Sequence, residues 1–256
     1  MNKILSLTRR CVEDYGMINP GDRIAVGVSG GKDSLVLLAA LAKLREFYPV
    51  PFTVEAITLD MGRADGVEGL DFAPIQGLCQ ELDVPYTIMN SEIQHIIFDI
   101  RREKNPCSMC AKMRRGALHA ALKERGIAKI ALGHHYDDAV ETFFMSLIFE
   151  GRLSCFQPVT YLDRMGITQI RPLLYCGESL VRGAARRLDL PVVKNRCPAD
   201  GNTKRQEIKE LIYELQGRYP GLKARVFGAM QRLPLPEWGP AEHRRRPLPE
   251  EMEEEI

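Results

Sequence analysis

The sequence predicts an α/β protein, built on a doubly wound parallel sheet with helices on both faces. Two observations predict this fold. Short apolar segments rich in β-branched residues alternate with longer Leu- and Ala-rich segments along most of the chain. Polar turns containing glycine follow two of the predicted strands, and ligands bind at the carboxyl ends of strands in such sheets. With 256 residues, of which 45% are hydrophobic, the chain can bury one substantial core.

The predicted elements follow one another with short connections. A leading helix over 4–15 ends at Gly16. Strands are expected at 23–28, 53–59, 85–88, 129–132 and 168–171, where apolar runs are bounded by turn signals. Helices are expected at 35–47, 68–82, 109–125, 137–149, 178–188 and 204–216.

Three domain assignments follow from this pattern. Residues 1–21 are assigned to an N-terminal helix, residues 22–218 to the main domain and residues 219–256 to a C-terminal tail. The tail is expected to be poorly ordered, because it becomes Pro-rich, then basic and then acidic.

Composition says more about the cellular compartment of the protein than about its binding partner. The net charge is +1, so overall charge favours no partner, and only local clusters can argue for nucleic acid. No leader and no apolar run of membrane-spanning length is visible, so a cytoplasmic protein without a membrane partner is expected. The seven cysteines are then interpreted as thiols, metal ligands or catalytic groups rather than disulfides.

A glycine-rich loop follows the first predicted strand and precedes a helix. It reads Ser29-Gly30-Gly31-Lys32-Asp33-Ser34. The glycines let the backbone approach a phosphate, and the amides at the helix N-terminus provide positive potential. Lys32 can add charge, whereas Asp33 either holds Mg²⁺ or caps the helix. The spacing excludes the Gly-x-x-x-x-Gly-Lys-Ser/Thr loop, and the alternative is a plain strand-to-helix turn.

A second polar turn follows the predicted strand 129–132. It reads Gly133-His134-His135-Tyr136-Asp137-Asp138. Gly133 permits close approach of a ligand, and Asp137 or Asp138 is a candidate Mg²⁺ ligand or positioning group. Two histidines with two aspartates also suggest a metal site. The simpler alternative is an N-cap turn with acidic residues in the first helical turn.

Three cysteines form a candidate metal-binding set. Cys107 and Cys110 make a Cys-x-x-Cys pair that opens a helix, and Cys197 follows later. One such pair is compatible with redox chemistry, half a zinc site or cluster ligation. Three thiolates suit a [4Fe-4S] cluster with one iron left open, and the alternative is three unrelated cysteines. The others are expected to be packing residues, with a persulfide role also weighed for the last two: Cys11, Cys79, Cys155 and Cys176.

Ser-Gly-Gly-Lys-Asp-Ser after a first strand resembles the PP-loop ATP pyrophosphatases, which adenylate a carbonyl oxygen, release pyrophosphate and let a nucleophile displace AMP. Pro106-Cys107-x-x-Cys110, then Arg114-Arg115-Gly116, is similar to the tRNA-cytidine 2-sulfurtransferase branch. The 133–138 turn and the later cysteine before a basic helix strengthen this similarity, which runs from about residue 22 to 216. The resemblance implies a HUP/PP-loop adenine nucleotide alpha hydrolase-like fold, ATP, Mg²⁺ and a [4Fe-4S] cluster as sulfur carrier in tRNA thiolation.

The resemblance also implies a role for particular residues. The cluster ligands would be Cys107, Cys110 and Cys197. The catalytic residues would be Asp137, Asp33 and Arg114. The nucleotide-binding residues would be Val28, Ser29, Gly30, Gly31, Lys32, Asp33, Ser34, Leu59, Gly133 and His134.

Departures from the pattern leave the target nucleotide open. Cys197 is followed by Pro-Ala-Asp-Gly, whereas the branch often has Cys-x-x-Cys-Gly there. Arg114 stands where a related 2-thiouridine branch has lysine, and that branch's flanking zinc motifs are absent from the sequence. The alternatives are an adenylating ligase without cluster chemistry, such as a tRNA lysidine synthetase-like or amide-forming enzyme, and a non-enzymatic sensor.

Basic residues cluster near the cysteine pair and on two later helices. Each cluster is compatible with RNA phosphates or with a solvated face. The clusters are Arg101, Arg102, Lys104, Lys112, Arg114 and Arg115, then Arg182, Arg186 and Arg187, then Lys204, Arg205 and Lys209. The expected partners are tRNA and a sulfur donor such as a cysteine desulfurase, with a homodimer as the candidate assembly.

Overall fold

Six strands form a single sheet in a computed structural model that describes residues 1–62, 70–101, 106–193 and 204–232. The strands are β1 (Asp22–Gly27), β2 (Phe52–Asp60), β3 (Tyr86–Asn90), β4 (Lys129–Ala131), β5 (Val159–Leu162) and β6 (Ile167–Ile170). Their spatial order is β3-β2-β1-β4-β6-β5. Neighbours pair in parallel, except that β5 is antiparallel to β6. The predicted parallel sheet is confirmed, with an antiparallel edge strand that the sequence pattern did not indicate.

The helices of the described residues follow the alternation that the sequence predicts. They are α1 (Asn2–Asp14), α2 (Lys32–Leu44), α3 (Ala73–Glu81), α4 (Ile93–His95), α5 (Pro106–Glu124), α6 (Tyr136–Met145), α7 (Glu178–Arg187), α8 (Lys204–Arg218) and α9 (Leu222–Arg232). Two of them continue as π-helical segments, α4 over Ile96–Ile100 and α6 over Ser146–Glu150. No helix in the described part of the chain has the length and apolarity needed to cross a membrane.

β1 and α2 lie at the centre of the core. Ile24, Ala25 and Val26 of β1 are fully buried between β2 and β4. α2 is buried from Ser34 to Ala42 and again at Leu44, because its side chains are apolar on all faces. From β1 the chain adds β2 and β3 on one side of the sheet and then β4 on the other side. The loops after β1 and β4 therefore meet at the switch point, where doubly wound sheets bind ligands.

The segment after residue 219 differs from the tail that the sequence predicts. Leu222–Arg232 forms α9, and its Phe227 and Met230 are buried in the main core cluster. The Phe227 ring lies 4.7 Å from the ring of Tyr136. The helical signal is weak because Gly221 precedes this short helix and Gly228 lies inside it, so tertiary packing decides its structure. The rest of the expected tail, 233–256, lies outside the described residues.

Candidate active site

Hydrogen bonds of a serine hydroxyl within the loop after β1 hold its backbone in shape. The backbone N–H of Val28 donates to the Ile57 carbonyl (2.8 Å), which holds the end of β1 against β2. The Ser34 hydroxyl accepts from the Ser29 amide (3.1 Å) and donates to the Gly31 carbonyl (2.9 Å). Gly30 adopts φ +82°, a left-handed conformation that favours glycine. The loop is therefore shaped before any ligand binds, with Gly31 as the N-cap of α2.

Lys32 and Asp33 lie in the first turn of α2. The Lys32 ammonium is 3.1 Å from Asp33 Oδ2 and 3.4 Å from Glu178 Oε1. The other oxygen, Asp33 Oδ1, is buried and has no hydrogen-bond partner among the described residues. Since Gly31 is the N-cap, Asp33 does not cap the helix. An unpartnered carboxylate oxygen beside the glycine-rich loop fits Mg²⁺, which prefers oxygen ligands.

Gly133, in the turn after β4, touches protein backbone. A Cβ added there would lie 3.0 Å from the carbonyl carbon of Asp33 and 3.0 Å from the amide nitrogen of Ser34. The sequence suggested that this glycine lets a ligand approach, but the space is occupied by the start of α2. The glycine therefore brings the two turns into direct contact.

His135 and Asp138 cap α6, as the simpler interpretation of this turn predicts. The Asp138 amide donates to His135 Nδ1 (3.4 Å), and the His135 amide donates to Asp138 Oδ2 (2.9 Å). This reciprocal pair is a capping box that satisfies two amides at the helix start. Both side chains are thus used in local structure, and His135 Nε2 lies 3.7 Å from Asp33 Oδ1.

Asp137 connects three elements of the fold. Its Oδ1 accepts from the Lys223 ammonium of α9 (2.7 Å), and its Oδ2 accepts from the Glu178 amide at the start of α7 (2.6 Å). Burial alone would raise the pKa of Asp137, but these two hydrogen bonds lower it below the ordinary value. Asp137 is therefore an ionised, buried carboxylate that positions α7 and α9.

Glu178, which the motif analysis missed, gathers three cations at the same place. Its carboxylate lies 3.4 Å from Lys32, 2.8 Å from Arg182 and 2.9 Å from Lys209. Burial opposes ionisation, but hydrogen bonds from Lys209 and Arg182 lower the pKa of Glu178 to about 2. No local motif marks this residue, and its only sequence signal is an acidic residue in the first turn of a helix.

His134 and Leu59 are the remaining residues of the predicted nucleotide-binding set, and both lie near the carboxyl ends of strands. The His134 ring lies 4.8 Å from the Phe156 ring, and its Nδ1 is buried without a hydrogen-bond partner among the described residues. Burial, aided by cations including Arg171 and Arg114, lowers the pKa of His134 to about 3, so the imidazole is neutral at pH 7. Leu59 is half-buried near the end of β2, and Arg114 is exposed on α5.

The cysteines divide into two groups. The backbone of Cys107 lies in the first turn of α5, and the half-buried Cys110 follows three residues later. Cys197 lies outside the described residues. Cys11, Cys79 and Cys176 are buried in the core, which agrees with packing roles.

A persulfide role is disfavoured for the two candidates considered. Burial raises the pKa of Cys155 to about 12 and that of Cys176 to about 11. Both therefore remain protonated near pH 7, whereas the thiolate is the reactive form. Cys155 also donates its thiol to the Ala139 carbonyl (3.4 Å).

Comparison with known proteins identifies the family. The PP-loop domain family matches residues 4–215. The tRNA-cytidine(32) 2-sulfurtransferase of Dechloromonas aromatica (strain RCB) is 37% identical over 228 residues, which span 88% of this chain and 78% of the relative. That of Methylococcus capsulatus is 36% identical over 233 residues, spanning 90% of this chain and 79% of the relative. The chain belongs to the tRNA-cytidine(32) 2-sulfurtransferase family.

A solved structure supports the fold of this sulfurtransferase family member. The U34-tRNA thiolase NcsA from Methanococcus maripaludis, solved with its [4Fe-4S] cluster, superimposes with a TM-score of 0.69 at 25% identity. The match covers 87% of this chain and 74% of NcsA. The resemblance to PP-loop enzymes and to the cytidine 2-sulfurtransferase branch, expected from the motifs, is confirmed.

Proposed function

We propose that this chain uses ATP to adenylate a cytidine of tRNA and replaces the cytidine 2-oxygen with sulfur. In this reaction the base oxygen attacks the α-phosphate and pyrophosphate leaves. A sulfur nucleophile then displaces AMP, which carries the oxygen away. The observation that carries the proposal is the contact between the phosphate-binding loop and the 133–138 turn, in a chain whose relatives bear this activity in their names.

The loop after β1 is proposed to hold the ATP phosphates. Gly30 and Gly31 leave the backbone accessible, and the amides at the start of α2 point their positive potential toward the loop. Lys32 would pair with a phosphate oxygen in place of its contact with Glu178. Asp33 would bind Mg²⁺ through its unpartnered Oδ1. Val28, Ser29, Ser34 and Leu59 would shape the surrounding surface.

Cys107, Cys110 and Cys197 are proposed to hold the [4Fe-4S] cluster. The fit is chemical: the ligands are thiols, and the first two lie in the opening turns of α5, where the helix dipole favours thiolates. When bound, the cluster would supply an iron without a protein ligand as a place to carry sulfur.

Positioning and charge are proposed as the roles of the remaining residues. Neutral His134, with its unpartnered Nδ1, would accept a hydrogen bond from the substrate or nucleotide. Arg114 would stabilise negative charge at the end of α5 that carries the cysteines. Asp137 would act through the positions of α7 and α9, since both of its oxygens already accept hydrogen bonds inside the protein.

The sulfur donor, the assembly and the compartment belong to the proposal as well. A cysteine desulfurase would supply sulfur in the cytoplasm. A homodimer is supported by exposed apolar side chains at and after the end of α6, and light scattering coupled to size exclusion would show a mass twice that of the chain. These side chains are Leu147, Ile148, Phe149 and Leu153.

The test uses anaerobically purified protein and two cysteine variants. We expect the wild-type protein to contain iron and sulfide and to form 2-thiocytidine in tRNA when given ATP, Mg²⁺ and sulfide. Cys110→Ala is expected to lose both the cluster and thiolation, whereas Cys79→Ala, a buried cysteine of α3, retains both. Thiolation at the wild-type rate by cluster-free Cys110→Ala would refute the proposal. A wild-type protein that releases pyrophosphate but never binds iron would favour the adenylating ligase.

A further inference from the structure

A cavity of about 720 Å³ lies between α5 and the β5–β6 hairpin. One side is a stripe of α5 whose members recur every three or four residues, so they face the same direction. The stripe consists of Lys112, Arg115, Gly116 and His119. It begins two residues after Cys110, which places the cavity on the helix that carries the cysteine pair.

The opposite side is formed by the hairpin. Tyr161 of β5 is 60% exposed and lines the cavity, so much of its side chain is available to a ligand. Arg164 lies in the turn between β5 and β6. The strand that the sequence failed to predict therefore contributes an aromatic surface to this cavity, and the turn after it contributes a cation.

The base of the cavity contains a buried arginine that has no counter-ion among the described residues. Arg171 is 6% exposed, and its guanidinium donates to the Gln157 carbonyl, to Thr160 Oγ1 (3.1 Å) and to Gln169 Oε1 (3.3 Å). Among the described residues, Arg171 Nε has no hydrogen-bond partner and no carboxylate pairs with the guanidinium. A buried cation of this kind is stabilised by a bound anion.

The charges that line the cavity favour an anionic ligand. Four cations line it, against one carboxylate, that of Asp163; the cations are Lys112, Arg115, Arg164 and Arg171. Burial lowers the pKa of His119, so this residue is neutral at pH 7. A cavity lined by both cations and an exposed aromatic ring is typical of sites that bind unpaired nucleotides.

Phe156 joins the cavity to the candidate active site. Its ring lies 4.8 Å from the His134 ring, and the Arg171 guanidinium lies 4.9 Å from its centroid. His134 belongs to the turn that contacts the phosphate-binding loop. A ligand in the cavity would therefore lie beside the proposed reaction site.

We propose that this cavity binds one unstacked nucleotide of the tRNA, adjacent to the nucleotide that is modified. The base stacks on Tyr161, and its phosphates contact Lys112, Arg115 and Arg164, with Arg171 as the buried cation beneath them. This inference rests on the proposed function, because it takes tRNA as the substrate. The cavity volume suits a nucleotide, whose size falls within the usual range of small-ligand sites.

The experiment measures tRNA affinity at several salt concentrations, without ATP, for matched variants. Lys112→Ala is expected to weaken binding and to reduce the slope of log affinity against log salt by about 0.7 to 0.9, the loss of one phosphate contact. Lys123→Ala is the control, an exposed lysine further along the same helix and outside the cavity. It should bind as the wild type does.

Tyr161→Ala is expected to weaken binding by roughly 5- to 160-fold without changing the salt slope, as for loss of one base stack. Tyr161→Phe should restore binding, which excludes misfolding as the cause. Cytidine monophosphate and inorganic phosphate serve as competitors, and stronger competition by the nucleotide is expected. Competition by phosphate alone would overturn the nucleotide assignment.

Failure of this inference and failure of the proposed function give different results. If the wild type thiolates tRNA but the alanine variants of Lys112 and Tyr161 bind tRNA within twofold of it, the cavity assignment is wrong. The assignment is also wrong if those variants keep tRNA affinity and lose sulfur delivery from a donor protein. If tRNA binds through the cavity and no thionucleoside forms, the proposed function fails and the binding site remains.

Discussion

Replacing Gly133 by alanine would place a methyl group against the start of α2. The added Cβ would lie 3.0 Å from the Asp33 carbonyl carbon and 3.0 Å from the Ser34 amide nitrogen, where ordinary contacts begin at 3.4 Å. Both atoms are backbone and cannot rotate away, so the glycine-rich loop and the start of α2 must move by about 0.4 Å. Overpacking of this kind costs about 1–3 kcal/mol.

Thermal unfolding with and without ATP measures this cost. For a chain of this size each kcal/mol corresponds to about 2–4 °C, so Gly133→Ala should lower Tm by about 2–12 °C without ligand. The rise in Tm on adding ATP should also shrink, because the loop amides have moved. Gly77→Ala in α3 is the control: its Cβ would have no neighbour within 4 Å, so stability should stay equal or increase by up to about 1 kcal/mol.

Two results would refute the reasoning about Gly133. An alanine variant that unfolds like the wild type but no longer responds to ATP would show that the ligand, and not the α2 backbone, requires the glycine. A variant unchanged in both measurements would show that the two turns do not touch as described.

Three further predictions concern buried charges. Lys223→Met leaves the Asp137 carboxylate with one partner fewer, so the pKa of Asp137 rises. We expect the free energy of unfolding in urea at pH 7 to fall by about 1–3 kcal/mol and acid unfolding to begin at higher pH. Lys223→Arg should restore both. Glu178 has a folded pKa of about 2 against an ordinary 4.5, so its stabilising contribution is complete above pH 4.5 and is lost as the pH falls to about 2. Glu178→Gln should flatten that part of the stability–pH curve, and an unchanged curve would contradict the assignment. Lys129→Met leaves Asp22 without its buried ion-pair partner, so the free energy of unfolding in the same urea assay should fall by about 3–5 kcal/mol. A fall below about 1 kcal/mol would contradict a structural role for this ion pair.

Elements with strong local signals were predictable. β1 and β2 are apolar and β-branched and are bounded by turn residues, and α2 is rich in Leu and Ala, so local preference and burial agree. Elements that depend on packing were not. β5 has four residues and, among the described strands, pairs with β6 alone at the sheet edge, and α9 is short and contains a glycine.

The candidate site residues also divide into those with a local sequence signal and those without one. The glycine loop, the turn after β4 and the cysteine pair carry their chemistry in a few consecutive residues, so the sequence indicated them and the family that they resemble. Glu178 and Lys223 carry no such motif and were missed.

By itself, the sequence determined the alternation of strands and helices, the two polar turns and the thiol set, because backbone preference and motif chemistry act over a few neighbouring residues. Only the tertiary structure decided what those residues touch. Asp137 and Lys223 are 86 residues apart, yet their charged atoms are 2.7 Å apart. Gly133 meets the backbone of Asp33 because β1 and β4 are neighbours in the sheet. Such contacts arise when distant elements bury a common core, a condition that no local stretch of sequence contains.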